Sequence, residues 1–128
     1  MLLRRLQQKN DISTYYQEVK TMYDANESDW KLFRKLLPGW QEAYMERLCK
    51  EYAEILRSGK AASDNFWELE KRINEDKKCV GVCADMRRSK MLENLLHLLS
   101  EGAITREDLS PFSKDLQRSI DSFMRFFG

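Results

Sequence analysis

Apolar positions along this chain recur every three or four residues and do not alternate for long, which is the period of helices rather than strands. Ile12, Tyr15, Tyr16, Val19, Met22 and Tyr23 form the first stripe, with Asp11 or Ser13 placed to cap its start. Residues 1–10 either form a separate N-terminal turn or arm or extend that helix. The polar run Asp24-Ala25-Asn26-Glu27-Ser28 interrupts the pattern, and Ser28 is expected to cap a short helix carrying Trp30, Phe33, Leu36 and Leu37. Pro38-Gly39 is expected to end it, because the residue before a proline is pushed out of helical geometry.

The next stripe is Trp40, Tyr44, Leu48, Tyr52, Ile55 and Leu56, with Gln41, Glu42, Glu46, Arg47, Lys50 and Glu54 opposite. Gly59 reads as a left-handed stop. Ser63 or Asp64 restarts a helix with Phe66, Leu69 and Ile73, and Gly81 reads as the break before a fifth. That fifth helix carries Met86, Met91, Leu92, Leu95, Leu96, Leu98 and Leu99, an arc too wide for a one-sided surface helix. Glu101-Gly102 closes it. Thr105 with Asp108 resembles a capping box around a single turn, and Ser110-Pro111 reads as a cap with proline at the first helical position. Phe112, Leu116, Ile120, Phe123 and Phe127 mark the last helix. The pattern predicts one all-α domain over 1–128: an irregular or orthogonal bundle of five to six helices around a central apolar helix at about 81–100.

Composition narrows the function classes. The chain has 128 residues, 42% hydrophobic and 34% charged, with three Trp, five Tyr and six Phe, an aromatic content that disordered segments lack. A net charge of +1 leaves no global field toward nucleic acid or an anionic membrane, so such binding needs a local patch. The order of apolar and charged residues in Met1-Leu2-Leu3-Arg4-Arg5 is wrong for a signal peptide, and no membrane span is expected. Three cysteines do not form a disulfide framework, so the expected location is a reducing cytoplasm.

Catalytic signatures are absent from the pattern, and the expectation is a non-enzymatic chain with no cofactor and no metal. Cys79 and Cys83 stand four apart rather than in the spacing of zinc knuckles, and a metal set with Cys49 and His97 requires three helices to converge. His97 falls with Lys90, Asn94 and Glu101 on what reads as a solvent-facing polar strip. The acid pairs Glu68/Glu70 and Glu75/Asp76 do not share a helix face.

Two features point to macromolecular partners. Lys77, Lys78, Arg87, Arg88 and Lys90 face only Asp85 within residues 77–90, a local cation cluster of the kind that contacts phosphates, and Arg4, Arg5 and Lys9 add a second run. A helix-turn-helix drawn at Pro38-Gly39 or at Gly102 places acids where a recognition helix needs cations. Phe66-Trp67 and Phe126-Phe127 are adjacent aromatic pairs, so one member of each is expected near the surface, where an aromatic beside a cation makes a protein-binding hot spot. Trp67 and Phe126 are the aromatic candidates, and the terminal aromatics offer a way to pair two copies as a homodimer.

The combination Trp40-Gln41-Glu42, Tyr44-Met45, Phe66-Trp67-Glu68-Leu69-Glu70-Lys71-Arg72-Ile73, Asp76-Lys77-Lys78, Arg88-Ser89, Ile104-Thr105 and Asp108-Leu109 resembles a group of small helical proteins encoded in mobile elements of Gram-positive bacteria. The resemblance spans roughly residues 28–112 and implies a bacterial, cytoplasmic, element-borne protein. It brings no catalytic residues. The expected function is binding a protein partner as a regulator or inhibitor, with an inhibitor of host defence among the roles. The alternative is a nucleic-acid-binding regulator that uses the basic cluster.

Overall fold

The computed structural model describes residues 24–127, with side chains through Arg125. The stripe from Ile12 to Tyr23, the arm at 1–10, the cations Arg4, Arg5 and Lys9, and the side chains of Phe126 and Phe127 lie outside that description. The described residues form four α-helices and two 3-10 turns, with no strand: α1 (Glu27–Leu56), α2 (Ala62–Asp76), a turn at Arg88–Lys90, α3 (Met91–Ser100), a turn at Arg106–Leu109, and α4 (Lys114–Phe127). The described residues are all-α as the periodicity predicts, but their helices number four, not five to six.

One helix was lost from that expectation at Pro38, where the sequence predicts a break and the structure has none. The 30 residues of α1 run straight through it. Proline in a helix interior costs about 3 kcal/mol, because it removes one hydrogen bond and its ring presses on the carbonyl four residues back. The stripe explains why the helix persists. Phe33 and Leu37 on one side of the proline and Tyr44 and Leu48 on the other are all buried. Ending the helix at Leu37 would turn half of these side chains away from their contacts, and each is worth about 1.5–3 kcal/mol when buried. Pro38 itself is exposed.

The N-terminus of α1 is capped by Asn26 rather than Ser28. The Asn26 side chain accepts the Asp29 N–H at 2.7 Å. Asp29 is buried and accepts both the N–H and the hydroxyl of Ser113, at 2.9 and 2.5 Å. Ser113 in turn starts α4, its Oγ accepting the Leu116 N–H at 3.2 Å. The expected Ser110-Pro111 cap is therefore displaced by three residues, and one carboxylate joins the starts of α1 and α4. Thr105 and Asp108 do form the expected capping box, Thr105 N donating to Asp108 Oδ2 at 2.7 Å.

The helix expected over 81–100 has only ten residues, Met91–Ser100, and buries all of them except Glu93 and His97. Its leucines meet Phe33 and Leu37 of α1 and Leu116, Ile120 and Phe123 of α4 in one core cluster. Met86, which the sequence places on this helix, is 43% exposed on the preceding chain.

Beyond this core, the second half of α1 and α2 form an antiparallel hairpin. Gly59 makes the turn with φ 78°, the left-handed geometry expected of it. Helix α2 starts at Ala62 with no side-chain cap, where the sequence offers Ser63 or Asp64. Polar contacts hold the pair together: Ser58 Oγ donates to Asn65 Oδ1 at 3.0 Å, Arg72 meets Glu51 at 2.7 Å, and the Tyr52 hydroxyl donates to Asp76. Asn65 is the one residue that α2 buries.

Candidate interaction surfaces

The chain from Cys79 to Arg87 turns at 79–82, where the Cys79 carbonyl accepts the Val82 and Cys83 N–H groups at 3.0 and 2.9 Å, and runs on without regular structure to Arg87, its backbone bound by side chains from the helices around it. Glu101 Oε2 and Oε1 accept the N–H groups of Val80 and Gly81, each at 2.9 Å. Gln41 Nε2 donates to Val80 O at 2.9 Å, and Asn94 Nδ2 donates to Asp85 O at 2.9 Å. The polar strip of α3 read as solvent-facing is thus the seat of this segment: Asn94 is buried, and Glu101 and His97 are half-buried. Burial lowers the His97 pKa, against an opposing pull from Glu93, so the fold favours the neutral ring. Burial likewise raises the Glu101 pKa, opposed by the Gly81 and Val80 N–H groups.

Arg47 completes this junction. It donates from Nη1 to Gly102 O at 3.1 Å and from Nη2 to Glu101 O at 3.3 Å, satisfying carbonyls past the end of α3, and it lies 4.9 Å from the Tyr44 ring centre. The sequence placed Glu101 at the helix stop and on the polar strip, without this anchoring role. The available signal was electrostatic: a carboxylate at a helix C-terminus faces the negative end of the dipole and needs donors elsewhere.

The five cations of the basic cluster have different fates. Arg87 pairs with Asp85, Nε reaching both carboxylate oxygens at 3.0 Å, and Asp85 is held down at about 2 by this guanidinium. Arg88 donates to Ala25 O from Nε at 2.9 Å and Nη2 at 2.6 Å, and to Glu27 from Nη1 at 2.8 Å, clipping the turn to the start of α1. Lys90 lies 3.2 Å from Glu93. Lys77 and Lys78 are exposed and form no ion pair among the described residues. The sequence cluster is therefore two open lysines and three cations already engaged.

Phe66 and Trp67 are both open, 61% and 62% exposed, where the sequence required only one to be. Their rings meet edge to face, 4.9 Å between centroids at 84°, a favoured aromatic geometry. Toward the other end of α2, between α1, α2 and the 77–82 chain, lies an apolar cleft of about 340 Å³ lined by Met45, Leu48, Cys49, Tyr52, Ile73, Asp76, Lys77 and Val82. Cys49 and Cys83 are exposed and Cys79 is half-buried, all three as free thiols. Burial raises the Cys79 pKa, partly offset by its hydrogen bond with Tyr44.

Among the described residues no three His, Cys, Asp or Glu side chains gather to hold a metal ion, and no helix is long and apolar enough to cross a membrane. No family model, curated protein or solved structure matches this chain.

Proposed function

We propose that this chain is a non-enzymatic helical protein that binds a protein partner on the outward face of α2 and thereby regulates or blocks it. The observation that supports this reading is Trp67, left open on a helix that buries only Asn65. At 100° per residue, Trp67 shares its face with Lys71 and Asn74, and Lys78 follows just past the end of α2. Lys71 and Lys78 are exposed and have no ion pair among the described residues. An open aromatic beside exposed cations matches the composition of binding hot spots, and it suits an apolar slot rimmed by carboxylates. The free thiols fit a cytoplasmic setting, and the mobile-element resemblance favours a regulator or inhibitor, with a host-defence protein as one such target.

Nucleic acid is the second reading, carried by Lys77 and Lys78. A photoreactive side chain at position 67, with a control at Arg118 on α4, separates the two in the native host. We expect one protein adduct at position 67 that persists at high salt. A gel shift that collapses as salt rises and disappears in the Lys77→Glu/Lys78→Glu variant, with no adduct at 67, would overturn the protein reading.

A further inference from the structure

We infer that a second copy of this chain covers the apolar flank of the α1–α2 hairpin, joining two hairpins into a four-helix bundle. This flank is not the face that carries Trp67, so the inference stands apart from the partner reading above. On α2, Phe66, Leu69 and Ile73 fall within about 60° of one another at 100° per residue, adjacent to the side that meets α1. On α1, Met45, Cys49 and Leu56 form the matching row. Together with the cleft they make one apolar strip between the two helices, and its members Phe66, Ile73 and Leu56 are exposed. A two-helix hairpin that leaves such a strip open has buried only one side of its apolar surface, and packing hairpin on hairpin is the usual way to close it.

Charge at the rims selects the second copy as the occupant. The Glu51–Arg72 and Ser58–Asn65 contacts set the levels of the antiparallel helices. By that register Lys77 on the α2 rim stands level with Glu46 on the α1 rim, and Glu70 stands within a turn of Arg57. A two-fold axis along the hairpin lays α2 of one copy over α1 of the other. Lys77 then meets Glu46 and Glu70 meets Arg57, and the symmetry repeats both pairs. The head-to-tail arrangement would instead oppose Lys77 to Arg57. The Lys77 ammonium has no ion pair among the described residues, while Glu46 has an exposed contact to Lys50 at 3.9 Å. The flank is about two helices wide and four turns long, at the small end of specific interfaces, so the dimer is expected to be weak and reversible.

Sedimentation equilibrium of the full chain from about 10 µM to 1 mM tests this, a range suited to a small interface. A monomer–dimer equilibrium is expected, with iodoacetamide labelling of Cys49 slowing as the dimer fills. Ile73→Glu should weaken association at least tenfold with helical circular dichroism unchanged. Lys77→Glu should weaken it several-fold, and Glu46→Lys in the same chain should restore it. A monomer across the whole range overturns the inference. So does a dimer indifferent to Ile73→Glu, or one in which the reversed pair fails to restore what Lys77→Glu removes. Because Trp67 is untouched, the photocrosslink at that position still reports the partner reading whichever way the sedimentation falls.

Discussion

The Tyr44 ring occupies the space that a side chain at Gly81 would need. An ideal Cβ on Gly81 falls 2.7 Å from Tyr44 Cγ, closer than real side chains approach. The glycine is there for contact, since the only positive-φ glycines are Gly59 and Gly102 among the described residues. Gly81→Ala must push Tyr44 off its seat or lift the 79–87 segment from Glu101. We expect a loss of about 1–3 kcal/mol in urea unfolding, the usual cost of overpacking a filled site. Tyr44→Leu in the same chain should recover part of that loss, because the obstruction is the ring itself.

Glu101 anchors the same segment through two backbone donors. Glu101→Ala leaves the Val80 and Gly81 N–H groups without their acceptor, and we expect about 2 kcal/mol of destabilisation from two partly covered orphan donors. Glu101→Gln keeps one carbonyl acceptor and removes a charge that burial disfavours, so its loss should be smaller. Hydrogen exchange at Gly81 gives a local check: protection should fall in both variants, more in the alanine form.

The helical class, the Gly59 turn, the Thr105–Asp108 box and the apolar stripe of α4 were legible because each depends on neighbours in the chain. Two local expectations failed, the Ser28 cap and the Ser63 or Asp64 cap, and the others that failed concern contacts distant in sequence. Ser113 rather than Ser110 starts α4 because Asp29, 84 residues away, binds it. Met86 left the predicted helix because Asn94 and Glu101 claim the backbone that precedes it. Of the candidate site, the exposure of at least one of Phe66 and Trp67 followed from their adjacency, but nothing local separated Lys77 and Lys78 from the three engaged cations. The capture of Arg88 by Ala25 and Glu27 was not legible, because nothing in a run of basic residues reveals what will lie opposite them.

Pro38 offers a test in the opposite direction. Because α1 continues through it, Pro38→Ala should restore a donor for the Arg34 carbonyl and relieve the ring contact, a gain of about 3 kcal/mol on propensity. The unfolded chain gains freedom when proline is removed, which offsets about 0.4–1 kcal/mol. A net stabilisation of about 2 kcal/mol is expected in urea or thermal unfolding. Destabilisation by this change would mean that the chain bends at Leu37-Pro38, as the sequence pattern alone suggests.

His97 makes stability depend on pH in a direction set by its burial. The folded protein holds its pKa below the ordinary 6.5, with burial as the main cause and Glu93 pulling weakly the other way. In the window between the lowered value and 6.5 the unfolded chain therefore binds more protons than the folded one. Stability must rise with pH across that window and fall as acid is added. Above 6.5 the contribution is complete and flat, since both states then carry the neutral ring. Glu101 runs the other way, because its raised pKa makes the folded state bind the extra proton above the ordinary 4.5, so stability falls as pH rises there. The two slopes separate in single variants. Urea midpoints measured from pH 4.5 to 7.5 should lose their rise toward neutral pH in His97→Gln and keep the acid-side effect of Glu101. In Glu101→Gln the rise due to His97 should remain and steepen, because the opposing slope is gone. A His97→Gln profile parallel to that of the unaltered chain would place the imidazole in water, on the open polar strip that the sequence suggests.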